Sequence, residues 1–325
     1  MPPTPVPAGY LDPRVESLPP PPAPEKDFSD RLDGVIILVS AGDVYLAKAC
    51  CASIRQCMGN IPITLLVDGR NTNTSELERL PNVKRLVAQE LMDGETAKLC
   101  TGFWVKLLIF WESPYERFLY LDADTLVWGD VRSFADFDHY DFIAAFDFNR
   151  PRIFQTPEEV QRYVFDVDHI KKLSPDLDWR GQELANNGVF FARRGVFSKE
   201  CLLKLRQLPC WRNYEQGVLN YLRWQAKTNG TPRVSGQRLQ ILPAEQPYQP
   251  EDRFMPRNYR QPAIIHWIGK KPKLGRRYRA ADDYRKLFLK MTGRKRWLAA
   301  RLFIEDIAVW LGRHKRSLLR QKSRS

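Results

Sequence analysis

The chain has 325 residues, of which 43% are hydrophobic and 12% aromatic, so it can bury one large core with appendages, or two modest ones. This composition is typical of a globular protein and excludes a chain that is disordered throughout. The formal net charge of +13 is unevenly distributed, because residues 270–324 hold 19 lysines and arginines against four acids, a net +15. The remaining residues sum to −2. The basic character therefore belongs to the C-terminal segment, and the body of the chain is nearly neutral.

Residues 1–27 are predicted to form a Pro-rich arm outside the globular body. The first 26 residues contain ten prolines and scarcely any bulky apolar residues, which favours a disordered or polyproline II segment. The N-terminus lacks the features of a signal peptide, and no apolar stretch is long enough to span a bilayer. The six cysteines show neither a C-x-x-C pair nor a Cys/His metal spacing, which favours buried free thiols in a reducing compartment. We therefore expect a cytoplasmic protein.

From Phe28 onward, the chain alternates between predicted strands and helices. Short continuous apolar runs predict strands buried on both faces, and apolar residues at helical spacing predict the helices between them. In chain order the predicted elements are a strand at 35–39, a helix at 43–58, a strand at 63–67, a helix starting at 71–75, a strand at 83–87, a helix at 103–111, strands at 118–121 and 142–146, a helical patch at 158–165, a strand at 189–192, helices at 198–207 and 215–225, and a strand at 264–266. This alternation predicts an α/β fold with a mostly parallel, doubly wound sheet that has helices on both faces.

Three segments follow from these elements. We predict a globular domain over residues 28–275, preceded by the Pro-rich arm. Within it, residues 147–185 are polar and interrupted by prolines, and are predicted to be an insertion that serves as a lid or an acceptor-site element. Residues 276–325 are predicted to form a basic helical tail.

Two acids, Asp122 and Asp124, follow the apolar run 118–121 and form the most informative feature of the sequence. Side chains alternate along a strand, so both carboxylates are expected on the same side, with Ala123 pointing away. Two such acids repel each other unless a cation lies between them, and a hard divalent cation binds through oxygen ligands. In open α/β sheets, ligands bind at the carboxyl ends of strands. The pair therefore predicts a metal site, although an Asp-x-Asp triplet by itself is also found as two solvated acids in a turn.

Five blocks around these acids occur in the order found in a known family. The blocks are Ser40-Ala-Gly-Asp43-Val-Tyr45; Trp104-Val-Lys106 leading into Phe118-Leu-Tyr-Leu-Asp122-Ala-Asp124; Asn186-Asn187-Gly188; Glu215-Gln216-Gly217-Val-Leu-Asn220; and His266-Trp-Ile-Gly269-Lys270-Lys271-Pro272. Together they resemble the family 8 retaining glycosyltransferases, which include glycogenin and the bacterial lipopolysaccharide galactosyl- and glucosyltransferases. The resemblance covers roughly residues 35–273.

The resemblance implies a GT-A nucleotide-diphospho-sugar transferase fold and a metal-dependent transfer of a hexose from a UDP-sugar to a glycan, glycolipid or protein acceptor. It implies a cation, Mn²⁺ or Mg²⁺, held by Asp122, Asp124 and His266. The implied catalytic residues, which line the donor-sugar pocket, are Asn186, Glu215 and Gln216. The residues implied to contact the rest of the donor are Asp43, Tyr45, Lys106, Ala123, Asn187, Gly269, Lys270 and Lys271, with Tyr45 stacking on the uracil. Taken singly, several of these have a simpler interpretation: His266 as a structural group, Lys106 as a solvated helix residue, Asn186-Asn187-Gly188 as a turn, and Tyr45 as a core aromatic.

Two departures from the family pattern limit this transfer of roles. Glu215 stands where the family has Asp, so it is open whether it acts as a nucleophile or only stabilises an oxocarbenium-like transition state. The closing motif is one residue shorter between Gly269 and Pro272, which leaves the phosphate-binding role open between Lys270 and Lys271.

Alternatives remain for the whole chain and for its tail. Asp122 and Asp124 also fit the nucleophile motif of haloacid-dehalogenase-type phosphatases, which would need a later acidic pair after an apolar strand. A third hypothesis is a catalytically inactive domain that serves as a membrane or partner adaptor. In the tail, an apolar stripe with basic flanks over 294–320 predicts either a helix at an anionic membrane surface, with the protein peripheral to it, or a helix packed on the domain. Nucleic-acid binding is not favoured, because no recognition motif accompanies the charge.

Overall fold

The computed structural model describes residues 27–147, 153–206, 214–234, 239–243, 262–266 and 279–293, together with Ile304 and Ile307. The predictions for the Pro-rich arm up to residue 26 and for Gly269, Lys270 and Lys271 lie outside the described residues. So does the predicted membrane-binding stretch 294–320, apart from Ile304 and Ile307.

The described residues form a nine-stranded sheet in the order β3-β2-β1-β4-β7-β6-β8-β9-β5. The strands are β1 (Gly34–Ser40), β2 (Ile63–Asp68), β3 (Val83–Val87), β4 (Arg117–Asp122), β5 (Thr125–Trp128), β6 (Phe142–Asp147), β7 (Asn186–Arg193), β8 (Leu239–Pro243) and β9 (Ala263–His266). Neighbouring strands run parallel except where β7 pairs with β4 and β6, and where β5 pairs with β9. The predicted mostly parallel α/β sheet is therefore confirmed.

Nine α-helices connect or flank these strands in the described part of the chain. They are α1 (Val44–Met58), α2 (Ala88–Leu91), α3 (Gly94–Leu99), α4 (Ile109–Glu112), α5 (Pro157–Tyr163), α6 (Val167–Leu173), α7 (Lys199–Arg206), α8 (Tyr214–Asn229) and α9 (Arg279–Met291). Short 3-10 helices lie at Ser29–Arg31, Leu77–Arg79, Gly102–Leu108 and Val131–Phe134. Among the described helices, none combines the length and the apolar character that a membrane crossing requires.

The sheet separates two apolar clusters, as a doubly wound fold requires. Alternate side chains of β1 point to opposite faces, so Val35 and Ile37 pack with α1 and α9, whereas Ile36 packs with α8 and with the helices of the insertion. Tyr284 and Phe288, from the predicted tail, are fully buried against α1. The start of the tail is thus part of the core of the body.

The segment predicted as an insertion packs closely on α8. Phe154, Val160 and Phe165 are fully buried in the second cluster. A Cβ atom at Gly217 would lie 2.6 Å from the carbonyl oxygen of Val164, so only glycine allows this approach. The insertion is therefore held against the N-terminal turn of α8.

The predicted helix after β2 is wrong, because the segment 71–75 forms turns and only a 3-10 turn follows. The Thr72 hydroxyl donates to the Asp68 carbonyl, and the Asn73 side chain accepts from the Ser75 amide. These side-chain bonds compete with helical hydrogen bonding. The helix predicted at 103–111 is largely a 3-10 helix that continues into α4.

Candidate functional site

The two acids lie at the turn between β4 and β5. These two strands pair with different strands of the sheet: β4 with β1 and β7, and β5 with β9. Asp122 is the last residue of β4, and Asp124 precedes β5. The Thr125 hydroxyl donates to the Asp122 carbonyl over 2.8 Å, which fixes the turn. Thr125 is paired across the sheet with His266, the last residue of β9. The sheet register therefore brings the imidazole to the two carboxylates.

Asp122, Asp124 and His266 form a cluster with the spacing of a cation site. Nε2 of His266 lies 3.4 Å from Oδ1 of Asp124 and 3.9 Å from Oδ2 of Asp122. One ligand atom from each residue lies within 4.8 Å of the others. Ligand atoms bound to one cation at about 2.1–2.4 Å are roughly 3 to 4.8 Å apart. The two carboxylates and the imidazole are a mixed oxygen and nitrogen donor set, so the residues fit a divalent cation such as Mn²⁺.

Gly188, in β7, leaves the space that this cluster occupies. A Cβ atom there would lie 2.6 Å from Oδ2 of Asp122 and 2.9 Å from Nε2 of His266, and closer still to Cε1 of His266. Both side chains could not keep their positions beside any other residue. The glycine of the Asn-Asn-Gly block is thus explained by close packing against the cluster.

Lys106 is buried beside Asp122 and connects it to α8. Its Nζ lies 3.2 Å from Oδ1 of Asp122 and 3.6 Å from Oε1 of Glu215, and donates to the Asn187 carbonyl over 3.3 Å. Burial opposes the charge, but the two carboxylates outweigh it and raise the pKa of Lys106 above its usual value. Lys106 is therefore a buried cation, which excludes the interpretation as a solvated helix residue.

The pKa of Asp122 is lowered, although its burial alone would raise it. The charges of Lys106 and His266 and the hydrogen bonds from Tyr120 and Lys106 outweigh that burial. The Tyr120 hydroxyl donates to Oδ1 of Asp122 over 2.6 Å. Asp122 is therefore an anion that two neighbouring side chains hold in place.

The predicted donor-sugar residues lie where the start of β7 meets the start of α8. The Asn187 amide donates to the Glu215 carbonyl over 3.2 Å, and the Gln216 amide donates to the Ala185 carbonyl over 3.1 Å. Oδ1 of Asn186 accepts from the Gly188 amide over 2.8 Å. Glu215 and Asn187 are thus joined to Asp122 through Lys106.

Asn220 holds this junction together. Its side chain accepts from the Ala185 amide and donates to the carbonyls of Ala185 and Gln216. It is fully buried, so these three bonds satisfy groups that water does not reach. Asn220 therefore fixes the distance between β7 and the turn of α8 that carries Glu215 and Gln216.

Asp43 and Tyr45 lie at the start of α1, which follows β1, the strand next to β4. The Ser40 hydroxyl donates to Asp43 over 2.6 Å. The Tyr45 ring is buried, and the Arg285 guanidinium of α9 lies over it at 5.3 Å from the ring centre. In this structure, Arg285 occupies a position on the ring where the sequence predicts a stacked uracil.

Sequence reasoning missed the hydroxyl of Tyr120 and the role of Gly188. Tyr120 reads as one member of an apolar run, yet it lies two residues before Asp122 on a strand, and such residues share a face. Ala123, which the resemblance places among the donor contacts, is buried in the first apolar cluster.

Comparisons with known proteins support the fold. No protein-family model matches the sequence, and no curated protein matches it. Among solved structures, the chain is similar to the WbbM bifunctional glycosyltransferase, with a TM-score of 0.52 and 15% identity over 83% of this chain and 51% of that one. It is also similar to the galactosyltransferase LgtC in complex with donor and acceptor sugar analogues, with a TM-score of 0.50 and 14% identity over 80% of this chain and 95% of that one.

The chain therefore spans about half the length of WbbM and nearly all of LgtC. At these identities the likeness concerns the fold. The chain has a glycosyltransferase-like GT-A fold, and the resemblance to family 8 glycosyltransferases that the motifs predict is confirmed at that level.

Proposed function

We propose that this protein is a metal-dependent, retaining glycosyltransferase that moves a hexose from a UDP-sugar to a glycan, glycolipid or protein acceptor. The observation that carries the proposal is the cluster formed by Asp122 at the carboxyl end of β4, Asp124 just before β5, and His266 at the carboxyl end of β9, in a glycosyltransferase-like fold. In LgtC, a protein of this fold, donor and acceptor sugar analogues are bound.

Asp122, Asp124 and His266 would hold the cation, with Mn²⁺ preferred because its sites accept mixed oxygen and nitrogen ligands more readily than those of Mg²⁺. When bound, the cation supplies Lewis-acid stabilisation to the charge that grows on a diphosphate leaving group. Without a cation the site carries a net negative charge, because the single buried ammonium of Lys106 faces the carboxylates of Asp122, Asp124 and Glu215. A nucleotide diphosphate without its cation is therefore expected to bind poorly.

Glu215 would face the donor sugar as an electrostatic stabiliser and not as a nucleophile. Its carboxylate lies 3.6 Å from the Lys106 ammonium, which remains charged. A carboxylate in such an ion pair is a weaker nucleophile but still favours positive charge at the reacting carbon. The longer Glu side chain, where the family has Asp, thus supports a positioning and stabilising role.

Gln216, Asn186 and Asn187 would orient the sugar. Each of these side-chain amides already makes one hydrogen bond to the backbone. For example, the Gln216 amide donates to the Ala185 carbonyl. Such fixed amides can offer their remaining groups to sugar hydroxyls without reorganising. Asp43 would contact the nucleoside from the start of α1. For Tyr45 to stack on the base, Arg285 must leave the ring, and the phosphate role of Lys270 or Lys271 with Gly269 rests on sequence alone.

The phosphatase hypothesis gains no support from the position of the later acids. It requires an acidic pair after a buried strand, whereas Asp282 and Asp283 lie within α9. A catalytically inactive adaptor would have the same fold but would not need a cluster of cation ligands. Binding to an anionic membrane surface through 294–320 stays a prediction from the sequence.

A thermal-shift titration with UDP and GDP, each with and without Mn²⁺, tests the proposal. We expect UDP to stabilise the protein only when Mn²⁺ is present, and Asp124→Asn to abolish that shift. Asp136→Asn is the matched control, because Asp136 also pairs with a histidine, His139, at 2.9 Å but outside the site. The absence of any UDP shift in the wild type with Mn²⁺ would refute the assignment. Hydrolysis of UDP-hexoses then identifies the donor.

A further inference from the structure

The two carboxylate oxygens of Asp122 have different surroundings. Oδ1 accepts from the Tyr120 hydroxyl at 2.6 Å and from the Lys106 ammonium at 3.2 Å. Oδ2 faces His266, with 3.9 Å between Oδ2 and Nε2, and packs against Gly188, where an added Cβ atom would lie 2.6 Å from it. One oxygen is thus bound by the protein, and the other points to the centre of the cluster.

We propose that Tyr120 is a positioning residue that holds Oδ1 of Asp122 and so presents Oδ2 alone to the cation. The inference rests on the proposed metal site and adds to it a residue outside the ligand set. It also predicts that Asp122 binds the cation through a single oxygen.

Tyr120 is suited to this task because its ring cannot move. It is fully buried, stacks on Phe190 with 4.8 Å between ring centres, and has the Lys106 ammonium over its ring at 5.4 Å. The hydroxyl of this fixed ring donates to Oδ1 of Asp122 over 2.6 Å and so defines one position for that oxygen.

Removal of the hydroxyl leaves Lys106 as the remaining described donor to Oδ1. The ammonium is shared with Glu215 and with the Asn187 carbonyl, so it restrains the carboxylate less than a dedicated bond does. Asp122 would then rotate between orientations, of which only some present Oδ2. Loss of a group that orients a metal ligand typically weakens metal affinity by about 10- to 100-fold.

The experiment compares Tyr120→Phe with the wild type by electron paramagnetic resonance of free Mn²⁺ during titration of the purified protein. The substitution keeps the ring and its packing, and a thermal unfolding curve checks the fold. Tyr115→Phe is the control, because it also removes a tyrosine hydroxyl that is hydrogen-bonded, to Thr64 at 2.9 Å, at the opposite end of β4. We expect Tyr120→Phe to raise the Mn²⁺ dissociation constant at least tenfold and Tyr115→Phe to leave it unchanged.

Two results would overturn the inference and can be told apart. If Tyr120→Phe binds Mn²⁺ within twofold of the wild type, the positioning role is refuted while the metal site stands. If the wild type binds no Mn²⁺, with or without UDP, the proposed metal site fails, and the role of Tyr120 fails with it.

Discussion

Replacing Gly188 by alanine should disable the cation cluster while leaving the fold intact. The added Cβ would lie 2.6 Å from Oδ2 of Asp122 and 2.9 Å from Nε2 of His266. Relaxed carbon contacts are about 3.5 Å, so the carboxylate must retreat by roughly 0.9 Å. The imidazole must also retreat, by more than roughly 0.6 Å, because the Cβ would lie closer to its Cε1 than to Nε2. A functional constellation tolerates shifts of about 0.5 Å. Overpacking of this kind costs about 1–3 kcal/mol of stability.

The assay is Mn²⁺ titration followed by UDP titration of Gly188→Ala, with stability measured by urea unfolding. We expect Mn²⁺ affinity to fall at least tenfold and the Mn²⁺-dependent UDP shift to disappear. Gly94→Ala is the control, because a Cβ there meets nothing within 4 Å and Gly94 begins a helix with no unusual backbone angle. A Gly188→Ala protein that binds Mn²⁺ and UDP as tightly as the wild type would refute the packing argument.

Two further changes test the junction and the sheet. Asn220→Leu should lower the free energy of unfolding by about 2–4 kcal/mol, because it removes four side-chain hydrogen bonds. The Ala185 amide and the Arg223 guanidinium each lose an acceptor. Urea unfolding measures this cost, and a loss under 1 kcal/mol would contradict the prediction. Asp33 accepts from the Arg117 side chain and amide at 2.7 and 2.8 Å, and although burial opposes it, these bonds lower the pKa of Asp33. Its contribution is therefore present above about pH 4 and is lost as the pH falls through the lowered pKa. Asp33→Asn should cost up to about 1 kcal/mol at pH 7, since the pair is partly exposed, and progressively less as the pH falls below about 4. A cost that does not change with pH would show that the charge of Asp33 does not contribute to stability.

The sequence predicted β1 and β2 well because these strands are buried on both faces and read as nearly continuous apolar runs. The weaker strand β3, which exposes Lys84 and Arg85, was also predicted, and the observed bounds of all three differ from the predicted ones by at most one residue. Strands β5 and β8 were not predicted. Each has only four or five residues, and its identity as a strand depends on pairing with β9 or β6. Pairing between distant segments leaves no periodic signal in a short run.

The same distinction applies to the site. Asp122, Asp124 and His266 could be selected from motif order, and the structure brings them together. The ion pair between Lys106 and Glu215 could not be predicted from the sequence. It depends on how the 3-10 helix that carries Lys106 and the helix α8 that carries Glu215, 109 residues later, pack on one face of the sheet. The Tyr120 hydroxyl was hidden because an aromatic residue inside an apolar run is ordinarily a core residue. Polar groups that act through tertiary contacts are the part that sequence patterns omit.

The position of β5 at the edge of the sheet has a consequence for biosynthesis. In the described sheet its neighbour is β9, which is encoded more than 130 residues later. Domains generally fold as they leave the ribosome, beginning with their N-terminal parts. A nascent chain that has not yet reached residue 266 has both carboxylates but neither the imidazole nor the strand that pairs with β5. The cluster of Asp122, Asp124 and His266 is therefore completed only late in translation.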